Sequence, residues 1–234
     1  MTEQAKAVEA ARAHREASGA GILAEFLELL NLPNVSRNLD DVGHVAEHIV
    51  AMLTSRQIEA RLEELPGAAP LVVGHLRVPG ATTTIGIYAH YDGQPIDQPD
   101  WSVEPFKPSL FDDSIADGGR EIPPPHDGDD IDPEWRIYAR STSDDKAPVM
   151  AVCAALDGMR KAGASPASNI VFLFEGEEEI GSPHLATYLA RLQEELAADV
   201  WLICDGPVHQ SRRPQVVFGV RGISEMEITA HGPI

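Results

Sequence analysis

The sequence predicts an α/β layer fold, with helices covering both faces of a sheet. Three observations lead there. Amphipathic helical segments alternate with short strand-like segments along most of the chain. The strand-like segments are continuous apolar runs, the pattern of strands covered on both faces. Clusters rich in Asp, Glu and His follow those runs or stand just before a helix, where open α/β sheets bind their ligands.

Taken in order, "AGILAEFLELLNL" places Ile22, Leu23, Phe26, Leu29 and Leu30 at helical spacing, and "VAEHIVAMLTSRQI" repeats the pattern. Two strands follow, "PLVVGHLRV" and "TTTIGIYAH", joined by the turn "PGA". The stretch from Gln94 to Trp135 is rich in Pro, Asp and Gly and too long for a simple connection, so it reads as a site rim or a mobile insertion. Beyond it the alternation is regular. The helix "APVMAVCAALDGMRKAG", with Val149, Met150, Cys153 and Leu156 on one face, precedes the strand "NIVFLFE". The helix "PHLATYLARLQEELAA" and the strand "DVWLICD" complete the series. No internal repeat or low-complexity linker interrupts it.

Composition narrows the function. With 234 residues, 43% of them hydrophobic, the chain can bury the core of one domain. Its 37 acidic residues outnumber 18 Lys and Arg, a formal net charge of -19 that repels a phosphate backbone, so no nucleic acid partner is expected. The first residues contain no apolar signal core and no apolar run reaches membrane-spanning length, so a cytoplasmic protein without a membrane partner is expected. Cys153 and Cys204 lie apart within apolar runs and read as buried thiols, which leaves any metal chemistry to His and carboxylates.

Four clusters fall at the predicted sheet end: "HYD" after "IGIYA", "STSDDK" before a helix, "EGEEE" after "NIVFLF" and "CD" after "VWLI". Each alone has an ordinary reading. His90 can be a satisfied strand-end histidine, Asp144 with Ser143 a helix cap, and Glu177 to Glu179 a solvated acidic turn. Their coincidence points elsewhere. Crowded carboxylates raise each other's pKa and destabilise a fold unless a cation neutralises them. A dinuclear metal site accounts for the crowding, and imidazole with carboxylate favours zinc, with manganese or cobalt as alternatives. "HDGDDIDPEW" is also rich in oxygen ligands but lacks calcium-loop spacing, and reads as a solvated insertion.

At these four segments the chain resembles the dinuclear-zinc metallopeptidase and amidohydrolase family. That family includes cytosolic dipeptidases (carnosinases), glutamate carboxypeptidase, succinyl-diaminopimelate desuccinylase, acetylornithine deacetylase and aminoacylase. "YAHYDGQP" is similar to its HxD strand end, "YARSTSDDKAPV" to its GRGxxDxKGP segment, "EGEEEIGS" to its paired-glutamate turn and "ICD" to its later aspartate. The likeness runs from about Leu23 to Gly232, and "HYDGQP" with "DDK" is most similar to the dipeptidase branch. The resemblance implies a zinc-exopeptidase-like three-layer sandwich with a mostly parallel mixed sheet. It implies metal-assisted hydrolysis of an amide bond in a small peptide or N-acyl amino acid.

Position by position, the resemblance makes His90 a metal ligand and Asp92 the carboxylate that orients its imidazole. Asp144 bridges two metals, Glu178 is the general base, Glu179 binds the second metal and Asp205 completes the first metal's set. Glu177 and Asp145 have no ligand role, and Lys146 offsets local negative charge. His184 and His209 read as surface residues or outer partners, and His231 sits in no matching motif. Ala139, Ser141 and Ala147 replace glycines of the family segment, while its aspartate and lysine positions remain. Relatives continue beyond "ITAHGPI" into a lid and dimerisation domain and a return segment, each carrying a site histidine. The expectation is therefore that residues 1–234 are the N-terminal part of a catalytic domain, inactive alone, from a protein whose full-length relatives form homodimers. The competing expectation is a non-catalytic fragment or metal-binding module.

Overall fold

A computed structural model describes residues 3–97, 99, 101–206, 209, 211, 213, 215–220, 222, 224 and 226–232. Three helices open the chain: α1 (Glu3–Ala17), α2 (Gly19–Leu30) and α3 (Leu39–Ser55). The start of α3 is set by Asn38, whose side chain accepts from Asp41 N at 3.3 Å and so satisfies a free N–H of the first turn. Strands β1 (Glu59–Glu63), β2 (Leu71–Leu76) and β3 (Thr84–His90) follow. Short strands β4 (Ser109–Phe111), β5 (Glu121–Ile122) and β6 (Arg136–Tyr138) come next. Then come α4 (Lys146–Lys161), β7 (Asn169–Glu175), α5 (Leu185–Leu192) and β8 (Val200–Ile203).

The main sheet runs β1-β2-β7-β3-β8. It is mixed: β1 and β7 pair antiparallel with β2, whereas β7, β3 and β8 run parallel. Apolar residues face both ways from it, as continuous runs require. On one face Val72, Ile87, Phe172 and Phe174 meet Val45, Ile49 and Leu53 of α3 and Val149 and Cys153 of α4. On the other, Val73, Val171 and Leu173 meet Tyr188 and Leu192 of α5. Each fully buried Leu, Val or Phe contributes roughly 1.5–3 kcal/mol through lost water contact, which is what holds the three layers together.

The register places the functional end. His90 pairs with Glu175, so the turn after β7 begins where β3 ends. Tyr88 pairs with Ile203, which brings Asp205, two residues on, level with His90. Three parallel strands therefore deliver their following polar residues to one place.

Differences from the sequence reading have physical causes. β1, "EARLE", carries too few apolar residues to announce itself. The stretch read as irregular contains the small sheet β5-β4-β6, whose strands are only two or three residues long, too short to show a period. β8 is the outermost strand, paired on one side, and Val200, Leu202 and Ile203 remain 48–61% exposed instead of covered. The helix read through "PHLATYLARLQEELAA" ends at Leu192 and continues as turns. Among the described residues no helix is long and apolar enough to cross a membrane.

Candidate metal centre

His90 ends β3 completely buried. Its Nε2 lies 2.9 Å from Asp144 Oδ1, 3.9 Å from Glu178 Oε2 and 3.9 Å from Asp205 Oδ2. On its other side, Nδ1 is 3.3 Å from Asp92 Oδ1, within ion-pair range though without a formed hydrogen bond. Asp92 is itself fully buried and accepts Glu178 N at 3.2 Å and Glu179 N at 3.1 Å. One carboxylate thus backs the imidazole and fixes the acidic turn over it.

The loops around these residues are held by short polar contacts. Asn34 donates through Nδ2 to Tyr91 O at 2.7 Å and to Ser141 Oγ at 2.9 Å, tying the segment after β3 to the segment before Asp144. Gly93 N donates to Asn34 O at 2.8 Å, and a Cβ at Gly93 would stand 2.4 Å from Ser141 Oγ, so only glycine fits this approach. Gly176 is required in the same way, because a Cβ there would stand 2.6 Å from the Tyr91 hydroxyl oxygen. These constraints explain why "HYDG" and "FEG" carry glycine beside their charged residues.

Electrostatics is one-sided here. Burial, then neighbouring acids including Asp205, raises the carboxyl of Glu178. Burial likewise raises Glu179, against a hydrogen bond from Gln94, and pushes Asp145 up to about 7. For His90, burial works to lower the imidazole, yet Asp92, Asp145 and Glu178 together raise it to about 10. The cluster draws positive charge, and a divalent cation meets that demand more fully than a proton. Among the described residues two groups each bring their ligand atoms within 4.8 Å of one another: His90, Asp144 and Glu179 form one, and His90, Asp145 and Asp205 the other. An imidazole nitrogen among carboxylate oxygens suits zinc, manganese or cobalt, so the residues present fit a metal.

All six residues singled out from sequence, His90, Asp92, Asp144, Glu178, Glu179 and Asp205, lie around this one point. The grouping differs in one respect. Asp145, given no ligand role, stands with Asp205, and its Oδ2 also accepts His90 N at 3.1 Å. Its signal was the "DD" pair, in which adjacent side chains diverge. Lys146 is a correction. Instead of offsetting the acidic cluster it is fully buried, donating to Leu29 O at 3.0 Å in the last turn of α2 and to Leu32 O at 2.8 Å just past it. Burial pushes its ammonium down to about 7, and the carbonyls at that helix end receive it. Glu177 is engaged elsewhere, accepting Ala69 N at 3.1 Å and pairing with His184 Nδ1 at 2.8 Å. His209 contacts Ser211, and neither it nor His231 enters a ligand group among the described residues. Sequence reasoning missed Glu175, whose Oε2 accepts the Tyr88 hydroxyl at 2.7 Å directly beneath the turn.

A buried imidazole backed by Asp92 and facing Asp144 before α4, Glu178 after β7 and Asp205 after β8 is a site fit to hold a divalent cation. Comparison with known proteins agrees. Residues 86–232 match the family described as peptidase family M20/M25/M40, and the chain belongs to that family. The Cys-Gly metallodipeptidase of Schizosaccharomyces pombe is 26% identical over 167 residues, 70% of this chain and 31% of that protein. The human Beta-Ala-His dipeptidase is 26% identical over 158 residues, 66% of this chain and 27% of that protein. Among solved structures, an M20 family metallo-carboxypeptidase from Sulfolobus solfataricus superposes with a TM-score of 0.67 at 28% identity, covering 83% of this chain and 39% of that one. The yeast dipeptidase Dug1p shares the fold, with a TM-score of 0.68 at 19% identity, over 86% of this chain and 41% of that one. The chain therefore spans about a third of the length of the relatives it matches by sequence.

Proposed function

We propose that this chain forms part of the catalytic domain of a zinc-dependent peptidase that hydrolyses the amide bond of small peptides of the dipeptide class. The observation that carries this is the convergence of Asp144, Glu178 and Asp205 on His90 Nε2, with Asp92 behind the ring. The dipeptidase names of the two relatives support the substrate class. N-acyl amino acids are the neighbouring substrate class, and a homodimer is the proposed assembly of the longer protein.

In this reading His90, Asp144, Glu179 and Asp205 would hold the metal. When bound, the metal supplies Lewis-acid polarisation of the substrate carbonyl and lowers the pKa of coordinated water toward ~7. The chain's own residues do the rest. Asp92 keeps the proton of His90 on Nδ1, which leaves the Nε2 lone pair facing the site. Glu178, whose carboxyl burial has raised, accepts a proton from the attacking water at Oε2 and returns it to the leaving amine nitrogen. Glu177 anchors the turn through Ala69 and His184 and takes no part in the chemistry.

The test is hydrolysis of Cys-Gly and β-Ala-His by the protein carrying these residues, with metal content measured beside turnover. Glu178→Gln is expected to keep its metal while turnover falls ~100-fold to ~10,000-fold. Glu179→Gln is expected to weaken metal binding, and Glu177→Gln to change neither. A Glu177 variant that loses turnover while Glu178→Gln retains it would contradict the assignment.

A further inference from the structure

Gln94 closes the "HYDGQ" segment after β3, and the proposed mechanism leaves it without a task. Its side chain is exposed, yet its Nε2 donates to Oε2 of Glu179, a residue 85 positions further along the chain. Water can replace an exposed bond of this kind at little cost, so it adds little to folding. What it fixes is the direction of a carboxylate.

The backbone that carries Gln94 is held on both sides. Before it, Gly93 forms a β-bridge with Val35, and its O accepts Ser36 N at 3.1 Å and Ser36 Oγ at 2.9 Å while its N donates to Asn34 O at 2.8 Å. After it, the ring of Pro95 fixes one backbone angle, and Pro95 O accepts Arg140 Nη2 at 2.9 Å. A side chain on such a mount reaches a defined point. Glu179 is tied at its main chain, where N donates to Asp92 Oδ2 at 3.1 Å, and Gln94 ties its other end.

A long, flexible glutamate must give up rotamer freedom to meet a metal. A hydrogen bond to one carboxylate oxygen gives up part of that freedom beforehand and leaves the second oxygen for a cation. The type of donor matters as well, because Lys or Arg at this point would bring its own positive charge to the acidic cluster and compete with the metal. An amide orients the carboxylate without neutralising it.

We infer that Gln94 is a positioning residue of the metal centre, holding Glu179 in the orientation that binds the metal. The inference rests on the proposed reading of Glu179 as a ligand.

Zinc affinity of the 234-residue chain, measured by competition with a chelator beside the melting temperature of the metal-free chain, tests it. Gln94→Met keeps the length of the side chain and removes the donor, so zinc binding should weaken about 10-fold at an unchanged melting temperature. Glu179→Gln should weaken binding at least as much. Adding Gln94→Met to Glu179→Gln should then change the affinity by no more than about 2-fold, because Gln94 acts through that carboxylate. Gln94→Lys supplies the counter-charge the cluster lacks, and should raise the melting temperature while weakening zinc binding. The inference is overturned if Gln94→Met binds zinc like the wild type, if its loss adds in full to that of Glu179→Gln, or if Gln94→Lys binds zinc as tightly as the wild type. Zinc affinity left unchanged by Glu179→Gln would instead overturn the assignment of Glu179 as a ligand, and the inference with it.

Discussion

Two clusters of buried charge in this chain are resolved in opposite ways. At the junction of α2, α3 and α4, Arg56 is bidentate to Glu25 at 2.7 and 2.8 Å, donates Nε to Asp157 at 2.8 Å and reaches Met52 O at 3.0 Å. Burial works against its charge, and the bonds to Glu25 and Asp157 more than offset this. At the sheet end, one imidazole stands among Asp92, Asp144, Asp145, Glu178 and Asp205, and no Lys or Arg forms an ion pair with them among the described residues. A cluster that supplies its own counter-charge fastens helices. One that does not requires a cation from outside.

Breaking the second cluster should produce the largest effect. His90→Ala removes the only nitrogen and the one residue common to both ligand groups. Elemental analysis after dialysis with zinc should fall from about one ion per chain to essentially none, since three protein ligands plus water is the pattern of a tight site. Retention of zinc by this variant would mean that the ligands lie elsewhere.

Breaking the first cluster should act on stability alone. Arg56→Met leaves Glu25 and Asp157 without their cation, which costs about 3 kcal/mol, read by urea unfolding. Zinc content of the folded fraction should not change, and a variant as stable as the wild type would show the junction to be dispensable. Asp92→Asn sharpens the contrast, because Asp92 serves the metal centre without being a ligand. Zinc affinity should fall about 10-fold to 100-fold by competition with a chelator, and an unchanged affinity would separate Asp92 from His90.

The smallest effect belongs to an exposed network. Glu195 accepts both terminal nitrogens of Arg61 at 2.7 Å and meets His75 Nε2 at 2.7 Å. The Arg61 bonds foremost hold its carboxyl down at about 2, against an ordinary 4.5. A depressed carboxylate stabilises the fold above its unfolded pKa and loses that contribution as pH falls. The stability gap between wild type and Glu195→Gln should therefore be present at neutral pH and close between pH 4.5 and about 2. Solvent screening keeps it below ~1 kcal/mol. A gap that widens on acidification would contradict the pairing.

The sheet end was legible because each of its polar clusters follows an apolar strand or precedes a helix: "HYD" after β3, "EGEEE" after β7, "CD" after β8. Parallel pairing then made the cluster unavoidable, since His90, Glu175 and Asp205 come level once the strands are in register. What stayed hidden depends on contacts distant in sequence. Lys146 looks like a counter-charge beside "DD", and only the position of α2 shows that two carbonyls claim it. Asp145 and Asp144 are identical in type and adjacent, and only folding buries one and exposes the other. Arg56 gave no signal because Glu25 and Asp157 lie 31 and 101 residues away.

The most direct test is an anomalous-scattering map, collected at the zinc absorption edge from crystals grown with zinc. A peak bonded to His90 Nε2 and to oxygens of Asp144, with Glu179 or Asp205 completing the set, is the expected result. A map with no peak within reach of His90, or with zinc bound at other residues, would contradict the proposal that this cluster is a metal centre.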